Sequence, residues 1–278
     1  MMPKPRLTPQ NHRLLSYTWY LRNVRFRPEA AVRNADKCAL SRHVCHKTEY
    51  MNDQIVLEDD DETFTVSVFT ALESSRTVLF AVGAGGNPRR HIPLLNVLVE
   101  RGCTVVAPHF ERMTSQIVSA PDLALRIRRL RRALDYASCL KLPIGAIGHS
   151  IGSAILIGLA GGQMWMHDGK RLDCKADRRI KRMVVLTPAI DFFKTPGALD
   201  EVRTPMQAWA GSRDSITPPS QTLFLKNALG SLVDARFIEG AGHFSFMNDL
   251  PPNVVDTLED REAFLAHLAL EVGKFLLD

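Results

Sequence analysis

The chain has 278 residues, enough for one large α/β domain with a generous core. It is 45% hydrophobic and 23% charged, an ordinary composition for a folded globular protein, and no apolar run reaches the ~18 residues of a membrane span. The net charge of +5 belongs to residues 1–50, which carry ten Lys/Arg and three acids; the rest is near neutral and gives no reason to expect nucleic acid or another polyanion as partner.

The five cysteines, at 38, 45, 103, 139 and 174, show no C-x-x-C spacing. Neither a disulfide framework nor a zinc site is indicated, and a reducing, cytoplasmic setting is expected. Residues 1–50 lack sustained periodicity and read as a basic, poorly ordered extension before a domain spanning 51–278. Three origins are open for this segment: an arm packing its aromatics on the body, a targeting peptide, or an extension upstream of a true start at Met51. The last is preferred.

From Met51 the pattern is regular. Residues 62–70 alternate as a strand, and 77–82 form a buried strand. A helix over 90–101 places Ile92, Leu95 and Leu98 on one face, and 103–107 make a strand. Residues 121–138 repeat Leu123, Ile127, Leu130, Leu134 and Ala137 at helical spacing. The arginines at 126, 128, 129, 131 and 132 lack interleaved aromatics, so they read as the solvated side of that helix rather than a nucleic-acid face. Further strands are expected at 142–147, 183–186, 204–210 and 232–238, with helices at 153–158, 218–229 and 260–277. Strands alternating with helices predict a mostly parallel central sheet covered on both faces. The link between residues 186 and 204 is too short for a large lid domain. An open site is expected, partly roofed by the loop at 161–180.

The residues that carry chemistry sit after strands. Gly148-His149-Ser150-Ile151-Gly152 is a G-x-S-x-G pentapeptide between an apolar run and a small-residue helix. A strand entering a helix through so tight a turn exposes the central serine. Asp214 follows the strand at 204–210, just before Pro218, and His243 follows the strand at 232–238 in a loop with two glycines. The order Ser150, Asp214, His243 is that of one triad architecture, distinct from the chymotrypsin and subtilisin orders. Asp191, five residues past the preceding strand, is the competing acid. The glycine-rich turn Gly83-Ala84-Gly85-Gly86 after the buried strand suits an oxyanion hole built from the N–H of Ile151 and that of Ala84 or Gly85. It lacks the Lys-Ser/Thr of a phosphate-binding loop.

His109 and Phe110 follow a strand on the same edge and are candidates for the pocket, as are Gly85 and Phe244, although core packing or a plain loop role is the equal alternative. His149 reads as a packing or hydrogen-bonding residue, and His91 and His267 as surface residues. No cluster has metal-ligand spacing, so no metal or other cofactor is expected.

In the segments VGAGGNP at 82–88, GHSIG at 148–152, AGSRDSITPP at 210–219 and GAGHFSF at 240–246, the chain resembles the α/β-hydrolase superfamily, and within it the dienelactone-hydrolase-like esterases. The resemblance runs from about Gln54 to the C-terminus. It implies an α/β-hydrolase fold and a serine hydrolase acting on a small carboxylic ester through an acyl-enzyme. Thioester or amide cleavage at the same site, or a non-catalytic binding protein retaining the fold, are the alternatives. Two departures stand out: Val82 replaces the histidine that often precedes the oxyanion turn, and Ser150 replaces the cysteine of true dienelactone hydrolases, so their lactone substrate is not carried over.

Overall fold

The computed structural model describes residues 51–115 and 118–278. The basic extension at 1–50, with Cys38 and Cys45, lies outside the described residues.

Eight strands form one sheet: β1 (Met51–Asp59), β2 (Glu62–Thr70), β3 (Arg76–Ala81), β4 (Cys103–Pro108), β5 (Ile144–His149), β6 (Ile180–Leu186), β7 (Met206–Gly211) and β8 (Val233–Ile238). Their spatial order is β1-β2-β4-β3-β5-β6-β7-β8. β2 pairs antiparallel with β1 and β4, and all other pairings are parallel. Among the described residues five α-helices accompany them: α1 (Ile92–Glu100), α2 (Ala120–Ser138), α3 (Ile151–Leu159), α4 (Pro219–Leu229) and α5 (Arg261–Leu277).

Side chains alternate across a strand, so the central strands feed two separate cores. Leu79, Ala81, Ala146, Met183, Val185 and Ala208 point into a layer with Leu123, Leu130, Ala154 and Leu225 from α2, α3 and α4. Val78, Phe80, Ile147, Val184, Leu186 and Trp209 point into the opposite layer with Leu95, Leu98, Leu268 and Val272 from α1 and α5. Burial on both faces explains why these strands read as apolar runs rather than as alternating ones.

The expected strands and helices are all present, with ends shifted by a few residues. The β6–β7 link holds only a single 3-10 turn, Asp191–Phe193, and no large lid. The loop at 161–179 differs from expectation. Trp165 N–H donates to Phe192 O at 2.9 Å and Asp177 N–H to Leu159 O at 2.7 Å. Trp165, Met166 and Leu172 rest on the α2–α3 core. Their apolar surface is better covered there than over the sheet edge, so this loop flanks the core instead of roofing the site.

The arginine stripe of α2 is also not uniformly solvated. Arg126 is 2% exposed and Arg129 7%. Arg129 Nε donates to Asp59 Oδ2 at 3.1 Å and its Nη2 to Glu62 Oε2 at 2.6 Å, while Arg128 Nε donates to Asp59 Oδ1 at 2.5 Å. Burial works to raise the Asp59 pKa, but Arg128 and Arg129 outweigh it and hold the carboxyl below its ordinary value. A depressed carboxylate pKa contributes stability above the unfolded value and loses it as pH falls through the folded one. Asp59→Ala, which leaves the buried Arg129 with Glu62 as its remaining carboxylate, is expected to lower unfolding free energy by about 1–2 kcal/mol, less than a fully buried pair because Glu62 still pairs with Arg129 and Arg128 is half-exposed. Urea unfolding at pH 7 measures it.

Candidate active site

Ser150 sits between β5 and α3 with φ 54° and ψ −120°, a left-handed turn that no other residue of the pentapeptide shares. Its N–H donates to Leu186 O on β6 at 2.9 Å. Gly152 makes the turn possible, because a Cβ there would lie 2.1 Å from Ala81 O on β3. The strained serine is therefore held by strands on both sides of β5.

The loop after β7 delivers Asp214, which is 3% exposed. Its Oδ1 accepts from the N–H groups of Ile216 and Thr217, both at 2.8 Å. Its Oδ2 lies 2.9 Å from His243 Nδ1 and 2.8 Å from Thr217 Oγ1. The Thr217 hydroxyl also lies 3.0 Å from Thr187 O and 3.0 Å from His243 Nδ1. Facing a carboxylate, Nδ1 carries the proton, and Nε2 is left with its lone pair. Asp191 is elsewhere: its carboxylate meets Lys194 Nζ at 2.5 Å and Gln221 Nε2 at 3.4 Å.

Ser150 and the His243 loop meet through His149. Its Nε2 lies 3.3 Å from His243 O, and the two rings are 5.1 Å apart. Among the described residues no hydrogen bond joins Ser150 Oγ to the His243 ring.

His149 continues onto His91, 5.3 Å away, which rests on Phe80 at 4.9 Å. His91 is 1% exposed and not the surface residue expected from its helix position. It closes the 3-10 turn Pro88–His91 ahead of α1, and that turn faces inward. Burial, seconded by Arg90, pushes the His91 pKa down to about 3. Burial, then the neighbouring His243 and His91, drives that of His149 well below the ordinary value. Both rings stay neutral in the folded protein while the unfolded chain protonates near pH 6.5, so their burial opposes folding increasingly as pH falls below that value. The pH dependence of stability between 6.5 and 4 should flatten in His91→Phe by about 1.4 kcal/mol per pH unit at most, read from urea midpoints across that window.

The glycine-rich turn packs directly against the serine. A Cβ on Gly83 would lie 3.4 Å from Ser150 Cβ and 2.9 Å from His149 Nδ1. Among the described residues the Ala84 N–H has no hydrogen-bond partner. Ile151 is the first residue of α3, where the N–H has no partner within the helix. Gly85 is half-buried beside them. Val82 faces the α1–α5 core.

A pocket of about 210 Å³ opens beside the imidazole, lined by Arg213, Ser215, Ile216, His243, Phe244, Val254 and Val255. Phe244 stands edge-on to His243 at 5.3 Å. His109 and Phe110 are not among the lining: His109 Nε2 bonds Ser67 Oγ at 2.8 Å on β2, and Phe110 lies under the Arg126 guanidinium at 4.9 Å. The sequence reading missed the Val254–Val255 wall. Asp256 ties that segment to the histidine loop, its Oδ1 accepting from Ser245 Oγ at 2.8 Å, while Ser245 Oγ accepts from Gly242 N–H at 2.8 Å. A larger cavity, about 420 Å³, lies at the opposite sheet edge near Ala160, Lys181 and Pro205, away from these residues.

Among the described residues no group of three His, Cys, Asp or Glu could hold a metal ion, and no helix is long and apolar enough to cross a membrane.

A mostly parallel eight-stranded sheet, with a strained serine after β5 and an Asp–His pair in the loops after β7 and β8, is the architecture of the α/β-hydrolase fold. The solved structures agree. The chain superposes on an α/β serine hydrolase homologue from Coxiella burnetii (TM-score 0.57, 16% identity, 82% of this chain and 99% of that one). It does so on dienelactone hydrolase from Anabaena variabilis (0.57, 17%, 82% and 97%) and on Thermogutta terrifontis esterase 2 phosphorylated by paraoxon (0.58, 18%, 81% and 93%). The chain has an α/β-hydrolase fold. No family model matches the sequence, and neither does any curated protein.

Proposed function

We propose that this protein is a serine hydrolase that cleaves small carboxylic esters with Ser150, His243 and Asp214. The observation that carries the reading is the Asp214–His243 contact of 2.9 Å, made in a loop packed against the residue preceding the positive-φ serine. Nothing in an ordinary turn requires that combination of a strained serine and a carboxylate-oriented imidazole. The esterase and hydrolase names among the similar structures fit it.

In this mechanism Ser150 Oγ attacks the carbonyl carbon while His243 Nε2 takes its proton. Asp214 keeps the ring in the Nδ1–H tautomer and stabilises the imidazolium. The tetrahedral oxyanion is met by the N–H of Ile151 and that of Ala84 or Gly85. His243 then protonates the departing alkoxide, and the alcohol leaves. Water enters and its oxygen bonds to the acyl carbon as His243 takes its proton; the acyl–serine bond then breaks, His243 returns the proton to Ser150 Oγ, and the acid leaves.

The pocket of about 210 Å³ beside His243, open to solvent and with Ile216, Phe244 and Val254 among its walls, suits a group of a few carbons. Nitrophenyl esters and acyl thioesters of graded chain length, assayed alongside a fluorophosphonate probe, test the reading. Acetyl to butyryl esters should turn over fastest, octanoyl esters slowest, with the probe attached at Ser150. A well-folded protein that neither labels nor turns over any of these is not a serine hydrolase.

A further inference from the structure

Arg126 lies at the wrong place for a surface arginine. It follows Leu123 by one helical turn and precedes Leu130 by another, so α2 turns it into the core layer, where it is 2% exposed. A buried guanidinium must find acceptors. Its neighbour Arg129 finds carboxylates, and Arg126 reaches the turn beside Ser150. Nη1 donates to Gly83 O at 2.9 Å, and Nη2 donates to Ala84 O at 3.3 Å and Glu111 O at 2.7 Å.

The identity of those carbonyls matters. Gly83 C=O and Ala84 N–H are opposite ends of one planar trans peptide, and so are Ala84 C=O and Gly85 N–H. Holding each carbonyl therefore sets the direction of the N–H at its other end, away from Arg126. A cation on the carbonyl also draws electron density toward oxygen, which makes that N–H a stronger donor. Two further bonds pin the same carbonyls: Gly86 N–H to Gly83 O at 3.1 Å and Met113 N–H to Ala84 O at 3.0 Å.

We propose that Arg126 is a positioning residue for catalysis, whose buried guanidinium orients and polarises the two peptide groups that supply the oxyanion donor. The proposal rests on the serine-hydrolase reading. It acts when negative charge develops on the substrate oxygen, so its removal is felt in kcat and not in substrate binding.

The test compares Arg126→Met and Arg126→Lys with the parent full-length chain. It reads kcat and KM on p-nitrophenyl butyrate, thermal unfolding, and the amide signals of Ala84 and Gly85 in ¹⁵N-labelled protein. Arg126→Met should lower kcat by about 10²–10³-fold while KM stays within about threefold. Arg126→Lys keeps the charge without the fork and should lose roughly tenfold in kcat, with the two amide signals displaced in both variants. A folded Arg126→Met with parental kcat, or with its loss carried by KM, overturns the proposal. Should that variant fail to fold, Arg126→Lys decides, and parental kcat there overturns it equally. If the parent neither turns over esters nor labels with a fluorophosphonate, the hydrolase reading has failed instead. The amide signals still judge the turn: unmoved Ala84 and Gly85 resonances dismiss Arg126 as its support.

Discussion

Ser150→Ala will lose fluorophosphonate labelling and lower ester turnover by about 10⁴-fold or more, with substrate binding little changed. The size of the effect follows from what alanine leaves behind. The proposed oxyanion donors and pocket stay in place, so a residual rate above that in water should survive. The covalent route is gone, because no oxygen remains at the elbow. His243→Ala should match it, since without Nε2 the serine hydroxyl has no base and stays a weak nucleophile. The double variant should be little worse than either single one, because both remove the same step. Alanine at residue 150 also relieves none of the positive φ, so the fold must be checked by thermal unfolding alongside turnover. A Ser150→Ala protein that retains its rate would refute the mechanism.

The second large effect discriminates between two acids. Asp214→Asn should reduce kcat by about 10³-fold or more, and Asp191→Asn by no more than about threefold. Both carboxylates follow strands on the active edge, but only Asp214 reaches the imidazole, at 2.9 Å. An asparagine at 214 keeps the shape and can turn its NH₂ toward Nδ1, which favours the wrong tautomer and takes the lone pair off Nε2. Turned the other way, that NH₂ faces the N–H groups of Ile216 and Thr217, which now donate to Oδ1 at 2.8 Å. Either orientation breaks something, so part of the loss should appear as lower stability of the loop. Asp191 pairs with Lys194 at 2.5 Å on a half-exposed turn and meets Gln221 Nε2 at 3.4 Å, so its removal leaves the Asp214–His243 contact in place. Steady-state kinetics on both variants would show whether the acid has been assigned to the right strand.

Much of this was legible in the sequence because local chemistry announces it. The pentapeptide around Ser150, the aspartate before Pro218 and the glycine-flanked His243 each sit at a strand end, and apolar runs of β3, β5, β6 and β7 declare strands buried on both faces. What escaped were residues whose role depends on which way an element faces. Arg126 looked like one of five exposed arginines, although its spacing from Leu123 and Leu130 puts it on the apolar arc of α2. That spacing was the available signal. His91 looked like a surface histidine because the 3-10 turn before α1 rotates it inward, a detail periodicity does not register. Thr217, 3.0 Å from His243 Nδ1, carries no motif of its own. Val254 and Val255 belong to an irregular segment whose position is set by the remote tie from Asp256 to Ser245, and such tertiary anchors leave no local pattern.

The row of tilted imidazoles has a consequence for where charge travels. In the proposed cycle His243 accepts a proton, and the ring nearest to it is His149, then His91. Burial lowers the proton affinity of both, which disfavours passing on what His243 takes. The row acts as an insulator rather than a wire, favouring return of the proton to the departing oxygen.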